Sequence, residues 1–81
     1  MIKPTLTLFS TDHCRLCDQA FDLLASMPDL AGQTLDVVDV AHDDDLLARY
    51  GERLPVLKWG SAELAWPFTR DTVRAWLTSE A

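Results

Sequence analysis

Two cysteines three residues apart, in Cys14-Arg15-Leu16-Cys17, are the most chemically capable groups in this 81-residue chain and its only cysteines. A thiolate is both a nucleophile and a metal ligand. Residues at i and i+3 of a helix are neighbours, and their Cα separation falls inside the window of about 4.4 to 6.8 Å that a disulfide accepts. The pair can therefore open and close without large backbone movement. Stabilisation is a poor reason for such a bond, because in the loop-entropy account the gain grows with loop length and this loop is minimal. Thiol–disulfide exchange is the better reading, with Cys14 attacking a substrate disulfide and Cys17 resolving the mixed intermediate.

The position of the pair supports that chemistry. It falls where a strand hands over to a helix, and the first turn of a helix leaves backbone N–H groups unpaired. A thiolate at Cys14 accepts those N–H groups and feels the helix dipole, so its pKa is expected to fall below the free value of about 8.5. Cys17, one turn on, is expected to be more buried. His13 and Arg15 bring positive charge to Cys14, while Asp12 and Asp18 oppose it.

Metal binding is the competing use of two thiolates. A structural zinc site takes four ligands, and beyond the cysteines the chain offers only His13 and His42, with no second C-x-x-C and no close histidine pair. A metal chaperone that sets C-x-x-C after a first strand has two strands between its helices and ends on a strand. The closing helix described below argues against it. Metal is therefore not expected. A third class, a non-enzymatic interaction domain using the acidic surface or Trp59, Trp66 and Trp76, stays open. Tryptophans are more often packing than docking groups.

The elements that must position the cysteines follow from local patterning. Thr5-Leu6-Thr7-Leu8-Phe9 alternates at period two and is rich in strand formers. Leu16, Ala20, Leu23, Leu24 and Met27, with Phe21 widening the stripe, have helical spacing, and Pro28 stops that helix. After a loop over residues 28–33, the valine-rich run 35–40 is a second strand. Asp43, Asp44 and Asp45 suit the positive end of a second helix, whose buried face is Leu46, Leu47 and Tyr50 and whose terminator is Gly51.

Val56-Leu57-Lys58-Trp59 and Glu63-Leu64-Ala65-Trp66, joined through Gly60-Ser61-Ala62, have hairpin spacing. Thr69 is the N-cap of a last helix with Asp71 in its first turn, and Phe68 and Val73 occupy the positions of a hydrophobic staple. Val73, Ala75, Trp76 and Leu77 give that helix its apolar side. The predicted order is strand, helix, strand, helix, strand, strand, helix, beginning as a βαβ unit. Pro55 follows Leu54 just ahead of the third strand, which keeps Leu54 out of helical conformation. Taken alone, an X–Pro bond is expected to be trans.

Composition narrows the partners. Seven basic against thirteen acidic residues leave a net charge of −6, which opposes phosphate backbones and anionic membrane surfaces, so neither nucleic acid nor a membrane is an expected partner. The apolar run near the amino end, residues 6–9, is far shorter than a signal-peptide core or a membrane span. A cytoplasmic location is expected, and in a reducing compartment a close cysteine pair is more often catalytic or metal-binding than structural.

With C-x-x-C after the first strand and Tyr50-Gly51-Glu52-Arg53-Leu54-Pro55-Val56-Leu57 ahead of a hairpin, the chain resembles thioredoxin-fold proteins. Its shortness points to the glutaredoxin-like branch, and it is most similar to small bacterial glutaredoxin-like proteins. The resemblance implies an α/β thioredoxin fold of order βαβαββα over residues 1–81, a four-stranded mixed sheet flanked by three helices in a single domain. It implies a thiol–disulfide oxidoreductase with Cys14 and Cys17 catalytic, and a cis Pro55 facing them. Leu54 would then pair through its backbone with an extended substrate, a form of strand addition. His13, Arg15 and Leu16 would flank that substrate.

No tightly bound cofactor is implied; glutathione is a candidate co-substrate. The expected partners are a disulfide-bearing protein or small thiol and a reductase, with the chain acting as a monomer. Arg15 and Leu16 stand where glutaredoxins carry proline and tyrosine, and Ser10 where they carry a lysine. Trp66-Pro67-Phe68-Thr69, with Asp71 the nearest acid, replaces the double glycine and aspartate that hold glutathione there. His13 replaces the tryptophan, and Leu8 the buried aspartate, of thioredoxins. The matching residues carry the dithiol chemistry without fixing its reductant.

Overall fold

The computed structural model describes residues 5–79. β1 (Leu6–Ser10) and β3 (Val56–Trp59) are the inner strands of a four-stranded sheet ordered β2-β1-β3-β4, with β2 (Leu35–Asp39) and β4 (Ala62–Ala65) at its edges. β1 and β2 run parallel, with Leu6 opposite Leu35 and Ser10 opposite Asp39. The β1–β3 and β3–β4 ladders are antiparallel. Three helices, α1 (Arg15–Ala25), α2 (Asp44–Tyr50) and α3 (Arg70–Ser79), complete the expected order.

The period-two alternation of the inner strands divides the core between the two faces of the sheet. Leu6, Leu8 and Leu57 point to one face, where they pack with Ala20 and Leu24 of α1, Met27, Phe68, and Val73 of α3. Phe9 and Val56 point to the other and pack with Val40 and Tyr50. Helices α1 and α3 therefore cover one face and α2 the other. β2 is flanked on one side only, and its Val37 is accordingly half exposed.

Several expectations are corrected in detail. The buried face of α1 is Cys17, Ala20 and Leu24, whereas Leu16 is 45% and Phe21 44% exposed. Cys17 is buried, as expected for the cysteine one turn into the helix. The helix ends at Ala25 rather than running up to Pro28, because that proline holds Met27 in extended backbone and then opens a short 3₁₀ turn, Pro28–Leu30.

β2 stops at Asp39. The Asp39 carboxylate accepts from the Ala41 N–H at 2.9 Å and turns the chain into a second 3₁₀ segment, Val40–His42. Asp43 caps α2 by accepting from the Asp45 and Leu46 N–H groups. Leu46 and Tyr50, four residues apart, face the core, but Leu47 is largely exposed. Gly51 ends α2 with right-handed backbone. On α3, Val73, Trp76 and Leu77 turn inward and Ala75 is exposed.

The hairpin turn is tight, since Trp59 pairs with Ala62 and leaves only Gly60 and Ser61 between the strands. Gly60 has φ +62°, which a II′-type turn requires at its first central position. Thr69 caps α3 by accepting from the Thr72 N–H at 3.2 Å, with Phe68 and Val73 both buried around that start. The Leu54–Pro55 and Trp66–Pro67 peptide bonds are cis.

Candidate active site

The chain leaves β1 through Thr11 and an Asp12-His13 turn before entering α1. His13 has φ +57°, the left-handed region that few non-glycine residues occupy, and this reverses the chain so that Cys14 becomes the N-cap of α1. Histidine is among the few non-glycine residue types enriched in that region, but its presence in a sequence does not by itself fix the backbone there. His13 itself is exposed.

Cys14 and Cys17 are joined as a disulfide with their Cα atoms 5.2 Å apart. Their surroundings differ sharply. Cys14 is partly exposed, and its Sγ accepts a hydrogen bond from the Cys17 backbone N–H at 3.1 Å, a side-chain cap of the first turn. Cys17 is 1% exposed, on the inward face of α1. A helix N-cap supplies hydrogen-bond donors and the positive end of the dipole to whatever charge forms on its side chain. The same geometry that caps with a sulfur favours a thiolate at Cys14 once the bond is opened, whereas the buried position of Cys17 disfavours charge there.

Arg15 and Leu16, the two residues between the cysteines, are exposed. Arg15 has no ion-pair or hydrogen-bond partner of its own side chain among the described residues. Leu16 presents apolar surface to solvent beside Cys14.

Pro55 and Leu54 reach the same end of the sheet through register. Phe9 is the last β1 residue paired with β3, and its partner is Val56. The segment just before Val56 and the segment just after Phe9 therefore leave the antiparallel ladder side by side. Pro55 is buried and Leu54 half buried. The Pro55 carbonyl accepts from the Trp66 N–H at 3.1 Å, a contact that no sequence signal indicated. The Leu54 N–H and C=O take part in no backbone hydrogen bond among the described residues.

Trp66 also meets Phe68 edge to face, with ring centroids 5.0 Å apart. Phe68 is buried in the core that α1 and α3 share, so its main contribution is packing. Two open grooves lie elsewhere, one lined by Leu24, Met27 and Leu35 and one by Leu23, Phe68 and Arg70, and neither includes the cysteines.

Among the described residues no group of three or more His, Cys, Asp or Glu side chains is placed to hold a metal ion. None of their helices is long and apolar enough to cross a membrane.

Comparison with known proteins agrees with this architecture. No curated protein matches the chain. Among solved structures, the protein XcR50 from X. campestris is 39% identical. Its X-ray structure superposes with a TM-score of 0.80 over 93% of this chain and 97% of that one. The solution structure of XcR50 gives 0.77 over 93% and 94%. Ne2328 from Nitrosomonas europaea, 22% identical, shares the fold with a TM-score of 0.75 over 94% of this chain and 93% of its own. These neighbours establish the α/β thioredoxin-like architecture, a mixed four-stranded sheet with three helices. Residues 5–78 match the glutaredoxin-like domain (DUF836), and the chain belongs to that family.

Proposed function

We propose that the protein is a thiol–disulfide oxidoreductase working through Cys14 and Cys17. The observation that carries this reading is the asymmetry of the pair: a partly exposed Cys14 Sγ held at a helix N-cap by the Cys17 N–H, with a buried Cys17 beside it. Membership of a glutaredoxin-like family supports it.

In the reductive direction the Cys14 thiolate attacks one sulfur of a substrate disulfide. A Cys14–substrate disulfide forms and the other substrate sulfur leaves as a thiolate, which takes a proton from solvent. The Cys17 thiol loses its proton and attacks Cys14 Sγ. The Cys14–Cys17 disulfide forms and the second substrate thiol is released. Two electrons have passed from the dithiol to the substrate, and an external thiol reductant restores the pair by the same steps reversed.

In this reading Leu54 offers its free N–H and C=O to an extended substrate, with Pro55 facing the sulfurs, and His13, Arg15 and Leu16 contact the residues around the substrate cysteine. A disulfide-bearing polypeptide suits the apolar surface of Leu16. The acidic balance of the chain opposes an anionic thiol such as glutathione, which remains the candidate small co-substrate. A cytoplasmic setting suits a dithiol that must be kept reduced.

The test is the reduction potential of the pair in graded glutathione buffers, read by alkylation and mass spectrometry. A potential between about −150 and −270 mV supports a working oxidoreductase. A potential below about −300 mV marks a structural bond and removes this reading.

A further inference from the structure

Away from the sulfurs, a polar cluster joins three elements around Tyr50, a residue that the exchange chemistry does not use. Tyr50 ends α2 and is 1% exposed. Its ring stacks on Phe9 of β1, with centroids 4.2 Å apart and planes 13° from parallel. Its hydroxyl donates to the Glu63 carboxylate on β4. The Arg53 guanidinium lies 5.3 Å from the centroid of the same ring, and its Nη2 is 3.8 Å from the other Glu63 carboxylate oxygen. The Arg53 backbone N–H donates to the Tyr50 carbonyl at 2.8 Å.

We infer that Tyr50, Glu63 and Arg53 form a positioning cluster that fixes the Leu54–Pro55 segment against the dithiol end of the sheet and thereby sets affinity for the substrate. Arg53 immediately precedes Leu54, and Phe9 lies on the strand that leads to Cys14. The cluster therefore couples the two segments that leave the ladder beyond the Phe9–Val56 pair. Leu54 packs against the same apolar group of Phe9, Val40, Tyr50 and Val56. A segment whose own backbone makes few hydrogen bonds is drawn from the low-stability end of a structure unless side chains hold it. Held in place, it binds a partner without first having to be ordered. None of the three side chains touches a sulfur, so they are positioning residues.

The inference rests on the exchange reaction proposed above, and its test separates the two. Steady-state reduction of a synthetic peptide disulfide at fixed dithiothreitol is compared in wild type, Tyr50→Phe, Glu63→Ala and Glu63→Gln, together with the rate at which iodoacetamide alkylates reduced Cys14. Tyr50→Phe keeps the stacked ring and removes only the donor. Both Tyr50→Phe and Glu63→Ala should raise KM about fivefold, the net worth of one hydrogen bond, with kcat and the alkylation rate unchanged. Glu63→Gln, which still accepts from Tyr50, should recover most of the loss. An unchanged KM in both variants overturns the inference, as does an alkylation rate that falls in step with turnover.

Should wild type fail to exchange disulfides, the proposed activity is what fails. Amide hydrogen exchange then decides the cluster. The Arg53 and Trp66 N–H groups, bonded to Tyr50 and Pro55 carbonyls, should exchange faster in Glu63→Ala and return to the wild-type rate in Glu63→Gln. Equal rates in all forms overturn it.

Discussion

Arg74 of α3 grips Asp29 of the turn after α1 through two contacts, Nε to Oδ2 at 2.8 Å and Nη2 to Oδ1 at 3.2 Å. The two residues are 45 apart in sequence. Their pairing pins the last helix to the far end of the helix that carries the cysteines. The hydrogen bond from Arg74 is the main reason that the Asp29 carboxyl sits below its ordinary pKa, and the Arg74 charge adds to it. A depressed carboxylate contributes stability above the unfolded value near pH 4, and that contribution disappears as pH falls through the folded value. Arg74→Met should therefore lower the thermal midpoint at pH 7 and converge on wild type as the solution is acidified below about pH 4. A gap that persists at pH 2 would mean the arginine acts through packing of its stem.

Tyr50 is the only tyrosine in the chain, so tyrosinate absorbance at 295 nm reports it alone. Its phenol is raised above the ordinary value, first by the hydrogen bond to Glu63 and next by burial, with Arg49 opposing. A raised phenol contributes stability below the unfolded value near pH 10, and this is lost as pH rises through the folded one. The folded protein should titrate above the urea-unfolded chain, and Glu63→Ala should bring the midpoint down. Coincident folded and unfolded titrations would remove the Glu63 hydrogen bond from the account.

Phe68 separates packing from function. It is buried, meets Trp66 edge to face, and sits in the core beside Leu24 and Val73. Phe68→Ala should cost about 3 kcal/mol in urea unfolding, as truncation of a buried aromatic does, while the alkylation rate of reduced Cys14 stays near wild type. A mild stability loss with a large change at Cys14 would instead place the Trp66-Pro67-Phe68 segment in the substrate surface.

The left-handed backbone at His13 is the point of local strain that precedes the dithiol. Glycine adopts that conformation freely, whereas a β-branched residue does so at a cost of about 1 to 2 kcal/mol. His13→Gly should match or exceed wild-type stability and His13→Val should fall below it, both measured by urea unfolding of the oxidised protein. The reverse order would mean that the imidazole makes contacts that outweigh the backbone.

Much of this architecture is legible in residue order because it rests on short-range rules. Alternation over residues 5–9 marks the central strand, a glycine in the short link between two strand-like runs marks the hairpin, and Phe68 with Val73 marks the last helix start. The errors about which helix residues are buried share one cause: apolar type is not burial. Leu16, Phe21 and Leu47 lie at the margins of helical stripes, and which margin faces the sheet depends on how the helix docks. The burial of Cys17, by contrast, follows from its place one turn into the helix and was expected.

The dithiol could be found from spacing because both partners lie in one helical turn. The contacts that tie Leu54 and Pro55 to the rest could not. Tyr50 to Glu63 spans 13 residues, and Trp66 to Pro55 spans a hairpin, so neither leaves a periodic trace. The two 3₁₀ turns were hidden for a different reason. Each is set by one local event, Pro28 acting on Met27 and the Asp39 carboxylate acting on Ala41.

The most direct measurement is trapping. Reduced Cys17→Ser and Cys14→Ser variants are each mixed with a synthetic peptide disulfide, quenched with acid, and mapped by mass spectrometry. The account predicts a covalent peptide adduct on Cys14 in the Cys17→Ser protein and at most slow labelling of the buried Cys17 in the Cys14→Ser protein. Equal adducts on both cysteines, or none on Cys14, would contradict the assignment of Cys14 as the nucleophile.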